Sequence, residues 1–186
     1  MKSRLLFFLF ALLLSCNTDY TPNTDYTPKP KALIKLDFPK KVYEELDSDC
    51  PFVFELPIYS KLLKKEDNCS MQLSFPLQNG VLYLSYSPIK NDVLELIDDS
   101  RKRTSHHNIE GEGLISNSSL DAYGMFYDFG QGSAKAAQFH LTDNINHFFF
   151  GTLYFDIAVC DSILPINIFL KQDILHLIET FRWKDK

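Results

Sequence analysis

The sequence predicts a single α+β domain over residues 32–186, in which an antiparallel β-sheet has helices packed against it. Sixteen Phe and nine Tyr residues favour a β-rich, aromatic core. Short strand-like segments alternate with turn-like segments from residue 125 onward. Two segments with helical spacing lie apart from each other, one before these strands and one after them. Hairpin strands with separated helices are typical of an α+β domain.

The first fifteen residues, MKSRLLFFLFALLLS, have the pattern of an export signal. Lys2 and Arg4 precede ten apolar residues and a small residue. Ten apolar residues are too few for a membrane-spanning helix, which needs about 20. Residues 13–16 resemble the bacterial lipobox, so we expect cleavage before Cys16 and lipidation of its sulfur, which with a second acyl chain gives a lasting anchor. The alternative is a plain signal peptide with an incidental cysteine.

Residues 16–31 are predicted to form a spacer behind the lipidated cysteine. The hexapeptide NTDYTP occurs twice in succession, and Pro22, Pro28 and Pro30 favour extended polyproline-like geometry. At polyproline spacing such a segment would reach roughly 45 Å. As an alternative, Tyr20 and Tyr26 could belong to a binding motif.

The cysteines that follow predict one disulfide. Cys50 precedes the strand-like PFVFELP, and Cys69 precedes SMQLSFP. If the intervening residues 58–67 run back antiparallel to the first strand, the two sulfurs meet. A bond closing this loop would contribute about 3 kcal/mol in the chain-entropy model. Two buried thiols are the alternative, and Cys160 is predicted to be a core residue.

The remaining elements follow from hydrophobic periodicity and turn residues. Strands are predicted at residues 32–38, 81–86, 125–130, 136–143 and 147–155, and helices at residues 92–106 and 166–181. Asn91 is predicted to cap the first helix, whose inner face is assigned to Val93, Leu94, Ile97 and Arg101. The apolar face of the second helix is assigned to Ile168, Phe169, Ile174, Leu175, Ile178 and Phe181.

Charge and motif searches exclude several classes of function. The net charge is −5 and becomes more negative once Lys2 and Arg4 are removed, which argues against nucleic-acid binding. The glycine-containing GQGSA (130–134) is predicted to be a hairpin turn, because it lacks the spacing of a nucleophile elbow or a dinucleotide loop. The charged residues of the first helix are assigned to its solvated face.

The histidines are assigned structural roles. A turn centred between Asp143 and Asn144 would make His140 and His147 cross-strand neighbours about 5 Å apart. Two imidazoles do not make a zinc site, and His106 and His107 suit a helix C-terminus. No catalytic, cofactor-binding or metal-binding residue is therefore predicted, and the protein is not expected to be an enzyme. A small-ligand-binding lipoprotein remains the alternative, which would need a concave pocket with convergent polar groups.

Several segments carry a family resemblance, among them PKPKALIKLDFPKKVY, CPFVFELPIY, LYLSYSPI and above all DILHLIETFRWK. From about residue 26 to residue 184 the chain resembles the GldD family of gliding-motility lipoproteins. The resemblance implies a cell-envelope lipoprotein, facing the periplasm, that gliding and the associated type IX secretion system require. Its implied partners are the membrane and other proteins of that machinery. Cys16 matches the lipidated cysteine of the family, and Cys50 and Cys69 match its two cysteines at strand starts. The hairpin order is also similar to Mog1/PsbP-type domains, which mostly act as binding or assembly factors.

Overall fold

The computed structural model describes residues 36–46, 48–64 and 69–184. The predicted signal peptide and spacer lie outside the described residues, so the division at residues 1–15, 16–31 and 32–186 stays a prediction. The strands are β1 (Tyr43–Glu45), β2 (Phe52–Val53), β3 (Glu55–Pro57), β4 (Lys61–Lys64), β5 (Met71–Phe75), β6 (Gly80–Pro88), β7 (Ile109–Asn117), β8 (Ala122–Phe129), β9 (Lys135–Thr142), β10 (His147–Phe155) and β11 (Arg182–Trp183). The helices are α1 (Val93–Lys102) and α2 (Leu164–Thr180).

Seven of these strands form one sheet in the order β4-β5-β6-β10-β9-β8-β7. Every neighbouring pair in this sheet is antiparallel. Strands β7 to β10 follow one another as hairpins, whereas β6 reaches β10 only after α1 and three further strands. The predicted α+β class with an antiparallel sheet is therefore confirmed, and the likeness to Mog1/PsbP-type domains stays a prediction.

One face of the sheet is closed by α2 and two small two-stranded sheets, in which β1 pairs with β3 and β2 with β11. Their aromatic side chains pack against the central strand β10. The ring of Phe149 lies 4.6 Å from that of Phe52 and 5.0 Å from that of Phe181, measured between centroids. All three residues are fully buried. Because each such aromatic side chain buries a large apolar area, this cluster is the centre of the core.

Helix α1 lies on the opposite face of the sheet, and three details of its prediction were wrong. The N-cap is Asp92 rather than Asn91, which has the left-handed φ of 63° just before the helix. The inner face runs through Val93, Leu96, Ile97 and the buried Ser100, so Leu94 and Arg101 are exposed. The helix also ends at Lys102, which leaves His106 and His107 in the turns beyond it rather than at a helix end.

Helix α2 begins with Pro165 in its first turn, where a missing N–H costs no hydrogen bond. Phe169, Ile174 and Ile178 are buried as predicted, but Ile168 and Leu175 are exposed. The helix instead buries two polar residues, Asn167 and Asp173. Ile168 and Leu175 are seven residues apart and so share one side, which is turned away from the sheet.

The strand predictions at residues 81–86, 125–130, 136–143 and 147–155 are confirmed, and residues 130–134 connect β8 to β9 as predicted. Residues 36–38 form no strand, and β1, β7 and β11 were not predicted. Strand β4 pairs with β5 and not with the strands after Cys50, so the assumed return path was wrong. At Gly124 in β8, an added Cβ atom would lie 1.8 Å from the carbonyl oxygen of His140, so only glycine fits there.

Candidate functional sites in two buried polar clusters

The first cluster centres on the carboxylate of Asp173 in α2, whose side chain is 1% exposed. Lys41 donates to this carboxylate at 2.5 Å, the Tyr43 hydroxyl at 2.8 Å, and the Tyr59 hydroxyl donates to its other oxygen. A buried charge is tolerated only when it is paired and hydrogen-bonded, and these three donors meet that requirement.

The two tyrosines of this cluster remain neutral donors. Burial, followed by the hydrogen bond to Asp173 and the charge of that carboxylate, raises the pKa of Tyr43 well above its ordinary value of 10. The same causes in the same order raise the pKa of Tyr59. Each hydroxyl therefore keeps its proton and its hydrogen bond throughout the physiological pH range.

The Asp173 cluster fixes the segment from residue 36 to residue 46 against α2. The Phe38 ring stacks on that of Phe169 with 4.4 Å between centroids, and the Lys41 ammonium lies 3.8 Å from the same ring. The Tyr43 ring stacks on His176 at 3.6 Å, and His176 Nε2 lies 2.7 Å from Glu55 Oε2. The part of the domain that follows the predicted spacer is thus held by charge, hydrogen bonds and ring stacking together.

The second cluster lies on the other side of the sheet, beneath α1. Ser100 Oγ lies 3.1 Å from His140 Nδ1, and the Gln138 amide donates to the Ser100 carbonyl at 2.8 Å. Lys135 donates to the Arg103 carbonyl at 2.9 Å and to Gln138 Oε1 at 2.5 Å. These contacts connect the last turn of α1 to β9.

Burial sets the protonation of this second cluster. It lowers the pKa of His140 to about 4, with a smaller effect from the nearby Arg101. It likewise lowers the pKa of Lys135 to about 8, with a contribution from Arg103. His140 is therefore neutral at pH 7, and its ring stacks on Phe148 with 5.5 Å between centroids.

A serine within hydrogen-bonding distance of a histidine is also the arrangement that a catalytic nucleophile and its general base require. Ser100 is only 2% exposed and His140 only 3%. A general base works best with a pKa near the operating pH, and that of His140 lies far below it. The burial of both side chains and the low pKa of His140 therefore favour a buried connection between helix and sheet.

A crevice opens beside this cluster, between α1 and β6. Its volume is about 80 Å³, and it is lined by the hydroxyl-bearing Ser85, Ser87 and Ser100, by Asp99 and Arg103, and by the apolar Leu96, Phe148 and Phe150. The Arg103 guanidinium lies 5.2 Å from the Phe150 ring centroid. A wider, shallow depression of about 500 Å³ lies beside Tyr83 and Tyr154 at the other end of β6.

Comparison with known proteins decides the family. A family profile described as gliding motility lipoprotein GldD matches residues 23–183, which is most of the chain. The chain belongs to the GldD family. No curated protein matches the sequence. Membership makes this GldD-family chain a gliding-motility lipoprotein, anchored at a membrane of the cell envelope. Within the part of the chain that the structure describes, no helix is long and apolar enough to span a membrane.

The cysteines of this GldD-family chain have three different positions. Cys16, the predicted lipidation site, lies outside the described residues. Cys50 and Cys69 form a disulfide, with their Cα atoms 5.7 Å apart. Cys160 is exposed rather than in the core, because it lies in the loop before α2, where its sulfur contacts the Ser162 hydroxyl at 3.0 Å.

The predicted contact between His140 and His147 was wrong. Thr142 pairs with Phe148, so His140 faces α1 while His147 stacks on Trp183 on the opposite face of the sheet. The Asp143 carboxylate causes this register, since it accepts the N–H groups of residues 145, 146 and 147 and closes a four-residue turn. Among the described residues, no group of three His, Cys, Asp or Glu side chains is placed to hold a metal.

The Asp173 cluster was missed by sequence reasoning. An aspartate between Leu170 and Leu177 on an apolar helix face is one available signal, because an ionised side chain rarely occupies such a position without a partner. Its partners lie more than 110 positions earlier in the chain, so no local pattern identifies them.

Proposed function

We propose that this chain is a non-catalytic assembly component of the gliding machinery and of the type IX secretion system associated with it. A lipid on Cys16 anchors it, and the domain faces the periplasm. The observation that carries the proposal is the family match over residues 23–183. The implied partners are the membrane and other proteins of the machinery, and the net charge of −5 argues against nucleic-acid binding.

The buried polar clusters support a non-catalytic role. The Asp173 carboxylate accepts from three side chains of its own domain, and Ser100 and His140 are engaged with each other in the core. Polar groups satisfied in this way stabilise one fold and orient its surface for partners. Assembly by surface contact is therefore the activity that the arrangement favours.

The experiment removes the Ser100 hydroxyl by substitution in the host bacterium. A Ser100→Ala chain that accumulates normally should restore colony spreading and type IX secretion to a deletion strain. The matched control is Thr104→Val, which removes another buried hydroxyl, one that donates to the Arg101 carbonyl at 2.7 Å. Stable Ser100→Ala protein that fails to restore gliding, beside a functional Thr104→Val, would show that the hydroxyl has a chemical role.

A small-ligand-binding lipoprotein is the second candidate, because serine hydroxyls and Arg103 converge in the crevice beside α1. Ser87→Leu would fill this space from β6. If assembly is the role, Ser87→Leu leaves gliding intact. If a ligand is needed, this variant stops gliding while an exposed neighbour, Lys90→Leu, does not. Cross-linked pull-down of the tagged chain should in addition recover machinery proteins if the assembly role holds.

A further inference from the structure

Strand β7 forms one end of the seven-stranded sheet. Eight of its nine residues pair with β8 on one side, with a bulge at Glu110, and no other strand of the described residues pairs with its outer side. An edge strand of this length presents a row of unpaired N–H and C=O groups, which natural proteins usually shorten, charge or cover. Here the bulge and both glutamates lie in the first half of the strand, and the uncharged residues 113–117 follow them.

The side chains of β7 add a specific pattern to this edge. Leu114 is 79% exposed and lies opposite Met125 of β8. Its neighbour Gly113 lies opposite Phe126, and a Cβ atom added at Gly113 would meet nothing within 4 Å. The edge therefore has a projecting leucine on one face and, on the other, an open position beside an aromatic ring.

We propose that this edge binds the same edge of a second copy of the chain, with the two β7 strands antiparallel and centred on Leu114. Each Leu114 then lies opposite its counterpart, and each Ile115 lies opposite Gly113 of the other copy. Glu112 lies opposite Ser116. This two-fold arrangement is self-complementary, as closed dimers require, and it continues the sheet across both copies.

Two neighbouring registers, centred at Glu112 and at Gly113, are less favourable. In an antiparallel pair, two residues that lie opposite each other either both direct their N–H and C=O groups toward the partner strand or both direct them away from it. The two-fold axis of such a dimer therefore passes beside a residue, and each alternative register is centred on a different residue. A centre at Glu112 would place like charges directly opposite each other, which is destabilising. A centre at Gly113 would place Leu114 against Glu112. Centring on Leu114 instead extends an apolar row from Met125 through both leucines, and lets Ile115 fill the open position beside Phe126 of the other copy.

The test is disulfide cross-linking of the full chain in cells, in a Cys160→Ser background because that thiol is exposed. In the proposed register the two Leu114 Cα atoms lie about 4.5–5.5 Å apart, which is within disulfide range. Leu114→Cys should therefore give a dimer of twice the monomer mass under mild oxidation. Ser118→Cys is the matched control, because the register separates the two Ser118 positions by roughly 26 Å.

The register is tested separately by co-expressing one copy with Glu112→Cys and another with Ser116→Cys. These two should cross-link, whereas Glu112→Cys alone should not, because its counterpart lies roughly 13 Å away. Leu114→Lys in both copies should remove the cross-link, and Leu114→Lys in one copy with Leu114→Glu in the other should restore it.

Leu114→Cys and Ser118→Cys giving equal dimer would indicate random collision and overturn the proposal. A Leu114→Cys adduct to a different protein, without dimer, would also overturn it and would show that the edge binds a foreign strand. The inference does not depend on the proposed assembly role, since the dimer is measured without any readout of gliding.

Discussion

A single buried carboxylate, Asp173, joins three separate parts of the chain. Lys41 and Tyr43 donate to it from the segment at residues 36–46, and Tyr59 donates from the turn between β3 and β4, whereas Asp173 itself lies in α2. Removing one partner of a buried charged group costs far more than the pair contributes, because the remaining groups lose their hydrogen bonds without regaining water. The consequences of substitution should therefore depend strongly on which member is removed.

Asp173→Ala should lower the free energy of unfolding by about 3–5 kcal/mol, since the Tyr43 and Tyr59 hydroxyls lose their acceptor and the Lys41 ammonium keeps only its hydrogen bond to the Phe169 carbonyl. Tyr43→Phe removes one donor and should cost about 1 kcal/mol. Urea unfolding of the purified protein measures both values, because a shift of the midpoint urea concentration at an unchanged m-value gives the change in the free energy of unfolding. Equal midpoints for the two variants would contradict the central role of the carboxylate.

His140 makes stability depend on pH. Burial lowers its pKa to about 4 in the folded protein, against an ordinary value of 6.5. Between these values the unfolded chain binds a proton that the folded protein does not, so stability is fully present above pH 6.5 and falls as the pH drops toward 4. The fall should amount to a few kcal/mol.

The measurement is urea unfolding at pH 7 and pH 5 for the natural chain and for His140→Gln. The free energy of unfolding should differ much less between pH 7 and pH 5 for His140→Gln than for the natural chain. His107→Gln is the control, because the pKa of His107 is also lowered, by burial and by Lys135, in a less buried position. A pH dependence that His140→Gln leaves unchanged would assign the effect to other groups.

Strands β10 and β7 show where hydrophobic periodicity is sufficient to predict a strand and where it is not. Strand β10 is aromatic along its length and was predicted to the residue at both ends, because a central strand is apolar on both faces. Strand β7 contains two glycines and two glutamates and faces solvent, so its sequence resembles a loop. Only pairing with β8, which is a tertiary contact, identifies it as a strand.

The register between two strands was harder to predict from the sequence than the positions of the strands. The hairpin from β9 to β10 was predicted, yet the turn centre was misplaced, and His140 and His147 were consequently assigned to the same face. Because side chains alternate along a strand, an error in the turn centre can move a residue to the opposite face of the sheet. The side-chain hydrogen bonds of Asp143 determine the actual turn, and apolar periodicity does not include such bonds.

The disulfide joins the start of the two-stranded layer to the start of β5. Cys50→Ser with Cys69→Ser should lower the free energy of unfolding by about 3 kcal/mol, since the bond closes a loop of roughly 20 residues in the unfolded chain. Unreduced peptide mapping should recover the two cysteines in one linked species. Finding both thiols freely alkylated before reduction would show that the disulfide does not form.

At the scale of the whole molecule, the sequence predicted the α+β class and most strands, but not the polar cluster that fixes α1 to the sheet or the one that fixes residues 36–46 to α2. Local periodicity reports which side of an element is apolar, whereas the Asp173 cluster depends on contacts across more than 110 residues. That cluster holds the segment at residues 36–46, which is the first described part of the predicted domain. Any force on a lipid-anchored chain would enter the domain through this segment, and the charged contacts lie where such a force would act.

The spacer itself should act through its reach. Scrambling both NTDYTP copies keeps the length and composition of residues 17–28, so a scrambled chain should still support gliding, as measured by colony spreading of a complemented deletion strain. Deleting one copy shortens the reach by about 19 Å at polyproline spacing and tests length alone. Cys16→Ala serves as the control for anchoring, because it should abolish partitioning of the protein into the detergent phase, whereas the scrambled chain should partition normally. A scrambled spacer that anchors, folds and fails to restore gliding would show that a partner recognises the repeat, with Tyr20 and Tyr26 as the first residues to substitute.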